Sequence, residues 1–165
     1  MTGEHRASPA PVLTDPGGLF AALRTLALPT GHWVVCGSAP LYARGLRPAL
    51  RDLDVLARGP AWHRALLLAP PAPAASGHGL VVRHPAAAID VFDAWPHLDP
   101  AAAIDHADLI DGIPLLRLGD TVAWKTTVGR PQDLADVAAV HRLYGRWSAR
   151  PLIHLIHRTD RPEEP

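Results

Sequence analysis

The chain has 165 residues, and its 16 basic residues balance 16 acidic ones. This length predicts one domain with a core large enough for a mixed sheet and several helices, and it excludes two full domains. The balanced charge excludes a long-range electrostatic attraction of the whole molecule to nucleic acid or to an anionic membrane. A nucleic-acid partner would therefore have to use a local patch.

The cysteine content and the hydropathy pattern indicate where the protein works. The single cysteine, Cys36, cannot form an internal disulfide, and its apolar neighbours predict a buried core residue. No stretch approaches the roughly 18 apolar residues that a membrane helix needs, and the N-terminus lacks the apolar core of a signal peptide. We therefore expect a cytoplasmic protein with no membrane role.

The first element of the chain is predicted from a proline signal. Asp15 is a typical N-cap residue and Pro16 suits the first position of a helix, so we expect an amphipathic helix to begin there. Before it, residues 1–15 show no periodicity and predict a flexible arm. The domain is expected over residues 16–150, with a C-terminal tail over residues 151–165.

The next stretch predicts a buried strand at residues 33–36, a turn at Gly37 and Ser38, a short helix, and a second strand with two aspartates. Successive side chains of a strand alternate between faces, so Asp52 and Asp54 point the same way. Two neighbouring carboxylates repel each other, and a divalent cation bound by both offsets that repulsion. This stretch therefore predicts a metal site.

The turn at Gly37 and Ser38 has two interpretations. A strand-to-helix turn with glycine offers free backbone N–H groups and the positive end of a helix dipole to a phosphate, and Ser38 adds a hydroxyl. An ordinary tight turn needs the same residues without any ligand.

The middle of the chain predicts several shorter elements. We expect a helix over residues 59–68, a loop over 70–77, and strands over 80–83 and 88–92. Residues 107–116 predict a hairpin around an Asp-Gly turn, with a proline that restricts it to a sheet edge.

Two helices are predicted near the C-terminus. Asp120 is a candidate N-cap for a helix that contains Trp124 and Lys125. Pro131 is placed to begin a second helix, which Gly145 ends.

A third carboxylate is expected on the strand at 88–92, and two residues compete for the role. Asp90 and Asp93 lie three positions apart and would face opposite sides of a regular strand, so only one of them belongs to the metal face. We favour Asp90, because the chain after Asp93 soon reaches Pro96 and leaves the sheet.

These residues together are similar to a known signature. Gly37-Ser38, then thirteen residues, then Asp52-Leu-Asp54-Val resembles the motif of the polymerase-beta-like nucleotidyltransferase superfamily, with Asp90 as its third carboxylate. Lys125 followed by residues 129–137 looks like the lysine and Arg-Pro-x-Asp-Leu-x-Asp ending of small bacterial members, such as toxin-antitoxin nucleotidyltransferases. The resemblance covers roughly residues 17 to 145.

The resemblance implies an α/β (α+β) nucleotidyltransferase fold, in which helices flank a short mixed sheet. It implies transfer of a nucleoside monophosphate from an NTP to an acceptor hydroxyl with two Mg²⁺ ions, which Mn²⁺ can replace. Asp52 and Asp54 would bridge both ions. Asp90 would touch only the ion beside the attacking hydroxyl and assist its deprotonation.

Candidate residues for the NTP are Gly37, Ser38, Arg47 and Lys125. Lys125 is the only lysine among the 16 basic residues, and its compact ammonium suits a phosphate. Arg130, Asp133 and Asp136 have two equally supported roles, one in function and one as a set of caps and salt bridges.

The acceptor is not determined by the motif. Members that resemble this pattern act on tRNA, on protein or on antibiotics, and Arg51 before Asp52 departs from the antibiotic-modifying type. We therefore favour tRNA or protein as the acceptor, with a toxin-antitoxin partner protein. The alternative is a catalytically silent member that acts as a binding or antitoxin module.

Overall fold

The computed structural model describes residues 13–145, which form seven strands and six helices around one sheet. The strands are β1 (Trp33–Val35), β2 (Leu53–Ala57), β3 (Ala72–Pro73), β4 (Leu80–Arg83), β5 (Ile89–Phe92), β6 (Asp108–Ile110) and β7 (Ile113–Leu115). The helices are α1 (Pro16–Thr25), α2 (Ala39–Tyr42), α3 (Gly59–Ala65), α4 (Pro100–Asp105), α5 (Leu118–Val128) and α6 (Pro131–Tyr144).

The sheet is mixed, as predicted, and its strand order is β3-β4-β5-β2-β1-β7-β6. Strand β2 pairs antiparallel with β1 and parallel with β5, and β7 pairs parallel with β1. The hairpins β3-β4 and β6-β7 close its two ends. The central parallel pair β2-β5 sets Asp54 beside Asp90.

Helices cover both faces of this sheet, because its central strands are apolar on both sides. Leu53 and Val55 of β2 pack in a cluster with residues of α1 and α3. Leu56 belongs to a second cluster with Trp124 of α5 and with Cys36, which is fully buried as predicted. Asp54 therefore lies on a strand that the core holds on both faces, whereas Asp52, which was predicted on the same strand, lies just before its first residue.

Three predicted helix ends are confirmed. The Asp15 carboxylate accepts a hydrogen bond of 2.7 Å from the backbone N–H of Gly18, so it caps α1. Helix α6 begins at Pro131, and Gly145 ends it with a φ of 70°, a backbone angle that favours glycine.

The predicted start of α5 is wrong. The helix begins at Leu118 with Arg117 as its N-cap residue, and Asp120 lies inside the first turn. Asp120 is only 2% exposed, so it is not the exposed N-cap residue that the sequence predicted. The helix at 59–68 is shorter than predicted and ends at Ala65.

Two elements have no counterpart in the prediction. Strand β3 lies within residues 70–77, which were expected to form a loop. The sequence does not predict this strand, because proline argues against a strand assignment. Helix α4 starts at Pro100 and is capped by Asp99, whose carboxylate accepts from the N–H of Ala101. The same Asp-Pro signal identified α1 and would have identified α4.

The hairpin at 107–116 is confirmed, with Asp111 and Gly112 at its turn. The strand at the edge of the sheet is β6, however, whereas Pro114 lies on β7, the next strand towards the centre of the sheet. Strand β7 reaches β1 only through the pair Val35 and Leu115, beyond the proline, so the missing N–H is tolerated.

The N-terminal boundary differs slightly from the prediction. Leu13 pairs with Ala87, donating to the carbonyl of Ala86 and accepting from the N–H of Ala88, so the last residues of the expected arm belong to the domain. The rest of the arm and the predicted tail at 151–165 lie outside the described residues. No helix within residues 13–145 is long and apolar enough to cross a membrane.

Candidate active site

A cleft of about 310 Å³ collects the predicted carboxylates and the Gly-Ser turn. It lies between the carboxylate-bearing strands and the start of α6. Of the predicted site residues, it is lined by Gly37, Ser38, Asp52, Asp54, Asp90 and Lys125. Arg47 does not line this cleft but lines two other cavities. One, of about 590 Å³, lies between α1 and the β6-β7 hairpin and contains none of these carboxylates. The other, of about 150 Å³, is shared with Ser38 and Asp52. The three carboxylates meet only in the cleft of about 310 Å³ among these described cavities, so the chemistry points to it.

The third carboxylate is placed by the parallel pairing of β2 and β5. Asp54 and Asp90 are direct register partners, and Asp52 stands two residues before Asp54. Asp93 is not part of the cleft wall, and its Oδ1 accepts a hydrogen bond of 2.7 Å from the N–H of Leu80. The orientations of Asp90 and Asp93 thus follow the alternation that the strand predicts.

Gly37 is required by close packing against Asp54. Its φ is 63°, and a Cβ at this position would collide with Oδ2 of Asp54. The backbone N–H of Cys36 donates to the carbonyl of Asp54 at 2.7 Å, which holds the turn beside the carboxylate. A larger residue at position 37 would therefore displace the turn or Asp54.

The cleft carries a concentrated negative charge. Burial, and then the charges of Asp52 and Asp90, raise the pKa of Asp54 to about 7, although Arg130 and Lys125 oppose the shift. Burial also raises the pKa of Asp90, with Arg83 acting against it and Asp52 with it. Ionising all three carboxylates without a cation is therefore unfavourable.

This charge predicts a pH dependence of stability in chelator. The folded state keeps a proton on Asp54 that the unfolded chain loses near pH 4, so the free energy of unfolding should rise as the pH falls from about 7 towards 4. Asp54→Asn should flatten this rise and make the protein more stable than wild type at pH 8. Urea denaturation at pH 5 and pH 8 tests both points. An unchanged pH slope in the variant would contradict the assignment.

The residues present fit a divalent cation by their chemistry. Three carboxylates offer the hard oxygen ligands that Mg²⁺ prefers, and their mutual repulsion is the force that a cation relieves. Within residues 13–145, however, no three His, Cys, Asp or Glu side chains stand close enough together to form a ligand group as they are. Asp52 is the exposed member of the three, whereas Asp54 and Asp90 are half-buried.

Lys125 lies beneath the cleft rather than on a helix surface. It is only 1% exposed, and its Nζ lies 2.9 Å from Asp133 Oδ1, 2.9 Å from Asp136 Oδ2 and 3.4 Å from Ser38 Oγ. Its charge is therefore balanced by two carboxylates. Its nearest contact in the Gly37-Ser38 turn is the Ser38 hydroxyl.

The same ion-pair network contains two arginines. Arg130 Nε donates to Asp133 Oδ2 at 2.6 Å, and Arg47 donates to both oxygens of Asp136 at 2.8 and 2.7 Å. Burial opposes ionisation of Asp133, yet its hydrogen bonds from Arg130 and Lys125 hold its pKa below the usual range. The network joins α5, α6 and the loop before β2, and it gives Arg47 a structural partner.

Among the further residues that line the cleft, sequence reasoning missed one cation and three aromatic side chains, namely Arg83, Phe92, Trp95 and Trp124. Phe92 meets Trp95 edge-on at 5.1 Å between ring centroids, and Trp95 lies 5.4 Å from Trp124. Phe92 stands two residues after Asp90, and residues two apart on a strand share a face. This alternation was the signal that could have identified Phe92 as a cleft residue. The position of Arg83 depends on the pairing of β4 with β5, which no local pattern reveals.

No protein-family model matches this chain, and no curated protein or solved structure matches it. The residues of the cleft carry the functional proposal that follows.

Proposed function

We propose that this protein is a nucleotidyltransferase with the polymerase-beta-like fold, which moves a nucleoside monophosphate from an NTP to an acceptor hydroxyl. One observation carries the proposal. The parallel pairing of β2 and β5 sets Asp54 beside Asp90, with Asp52 just before the start of β2 and the Gly37-Ser38 turn against Asp54. This combination supports two-metal phosphoryl chemistry better than a structural role, because it raises the pKa of Asp54 at a cost in stability.

In the proposed reaction the acceptor oxygen bonds to the α-phosphorus of the NTP, and the bond to the departing pyrophosphate breaks. Asp52, Asp54 and Asp90 would hold the two Mg²⁺ ions. When bound, these ions neutralise phosphate charge and lower the pKa of the attacking hydroxyl. Asp90 assists removal of the hydroxyl proton. Gly37 and Ser38 receive the terminal phosphates.

Metal-dependent nucleotide binding tests this proposal first. Isothermal titration should show ATP or another NTP binding in Mg²⁺ or Mn²⁺, and none in chelator, because the triphosphate otherwise faces uncompensated carboxylates. Asp54→Asn should abolish the binding. Asp93→Ala is the matched control, since Asp93 lies outside the cleft wall, and it should bind as wild type does. Equal NTP binding in Mg²⁺ and in chelator would contradict the two-ion proposal.

A catalytically silent binding or antitoxin module is the second candidate. It is favoured by the balance of Lys125 by Asp133 and Asp136, which leaves less positive charge for a triphosphate. Incubation with labelled NTPs, tRNA, cell protein and aminoglycosides separates the two. We expect label in tRNA or protein, including a toxin-antitoxin partner from the same cytoplasm. NTP binding without label in any of the three would favour the silent module.

A further inference from the structure

Arg83 is a cleft residue that the proposed reaction does not use. It lies on β4 as the register partner of Asp90, which is itself the partner of Asp54 on β2. The three residues form a row across neighbouring strands and line the same cleft. Arg83 therefore stands beyond Asp90, on the side away from the Gly37-Ser38 turn.

The charge of Arg83 is the least compensated in the cleft. Among residues 13–145, three cationic side chains line it, and two of them are held by Asp133 at 2.9 Å and 2.6 Å. The Nε of Arg83 lies 3.9 Å from Asp90 Oδ2, which is too far for a hydrogen bond, and its side chain is 58% exposed. Its planar guanidinium is thus available to an anion.

The neighbouring aromatic side chains indicate what kind of anion carrier fits. Phe92 follows Asp90 by two residues, so it lies about 7 Å further along the same face of β5. It is half-buried and packs against Trp95 in the cleft wall. A nucleotide offers a phosphate to the arginine and a base to the aromatic side chains. A carboxylate side chain of a peptide would use only the arginine.

We propose that Arg83 binds a phosphate of the acceptor, and that the acceptor is a single-stranded nucleic acid whose attacking hydroxyl lies next to a phosphodiester. This inference rests on the proposed function and deepens it, since it selects one class among the acceptors. The anion lies on the Asp90 side of the carboxylates and the triphosphate of the NTP on the Gly37 side. The overall charge of the chain is zero, so this binding depends on the local cation.

Binding of RNA in Mg²⁺ without any NTP tests Arg83 in the absence of a reaction. The probe is an unstructured 12-nucleotide RNA with a 5′ fluorescein and a free 3′ hydroxyl, followed by anisotropy from 50 to 200 mM salt. Arg83→Gln should weaken binding roughly tenfold at low salt, as expected for a hydrogen bond to a charged group. It should also reduce the slope of log K against log salt by about 0.7, the value for one phosphate contact on a single strand.

The control is Arg24→Gln, because Arg24 is also exposed but lies on α1 and donates only to the backbone carbonyl of Asp111. It should leave affinity and salt slope unchanged. Equal slopes for wild type and Arg83→Gln would overturn the proposal, as would the absence of RNA binding by wild type. Arg83-dependent binding of a labelled glutamate-rich peptide, without such binding of RNA, would also overturn it in favour of a protein acceptor.

The NTP titration keeps this inference separate from the proposed function. If wild type binds no NTP in Mg²⁺, the nucleotidyltransferase proposal fails, whereas the RNA measurement still decides what Arg83 binds.

Discussion

Asp90→Ala should abolish transfer and leave the fold intact, whereas Asp93→Ala should leave transfer intact and weaken the fold. Asp90 lines the cleft as the register partner of Asp54. Its removal takes away a metal ligand and the group that assists the acceptor proton, and the general-base role alone is commonly worth about 10² to 10⁴ in rate. Because burial raises the pKa of Asp90, losing its charge should not reduce stability.

Asp93 should show the opposite effects because it serves the backbone. Its Oδ1 accepts from the N–H of Leu80, at the start of β4, beside the positive-φ residue Gly79. Removing this acceptor should lower the free energy of unfolding by about 1 kcal/mol. Labelled NMP transfer and urea denaturation of both variants make the comparison. Transfer that survives Asp90→Ala and is lost in Asp93→Ala would show that the two roles are exchanged.

Lys125→Met should destabilise the protein by about 3 kcal/mol, the lower end of the range for breaking a buried ion pair. The ammonium of Lys125 lies between Asp133 and Asp136, and Asp133 is fully buried. Without the ammonium the two carboxylates face each other and lose their buried cation. Each keeps one more exposed arginine, Arg130 or Arg47, which limits the loss. For a chain of this length the melting temperature should fall by roughly 6 to 12 °C.

A surface ion pair provides the matched control for this effect. Arg58 pairs with Asp105 while their side chains are 32% and 55% exposed. Asp105→Asn should therefore cost less than about 1 kcal/mol. Equal losses in Lys125→Met and Asp105→Asn would contradict the buried network. The double variant with Asp133→Leu should regain stability relative to Lys125→Met, because it removes a fully buried carboxylate that has lost its buried cation and keeps only the half-exposed Arg130.

Local chemistry in the sequence determined much of the site. Asp15 before Pro16 sufficed for the first helix, because a carboxylate N-cap and a proline at the first position need no distant partner. Alternation along a strand sufficed to put Asp54 and Asp52 on one face and to separate Asp90 from Asp93. These features depend on residues within a few positions of each other.

Tertiary structure decided which of these local features meet. Arg47 lies 89 positions from Asp136, and nothing around Arg47 distinguishes a phosphate ligand from an ion-pair partner. Asp120 has the residue type of a surface cap, yet packing of α5 buries it. Lysine is rarely buried, so the burial of Lys125 follows only from two carboxylates that α6 brings to it. Arg83 reaches the cleft because β4 pairs with β5, and strand pairing is set by burial across the whole sheet rather than by the few residues in each strand.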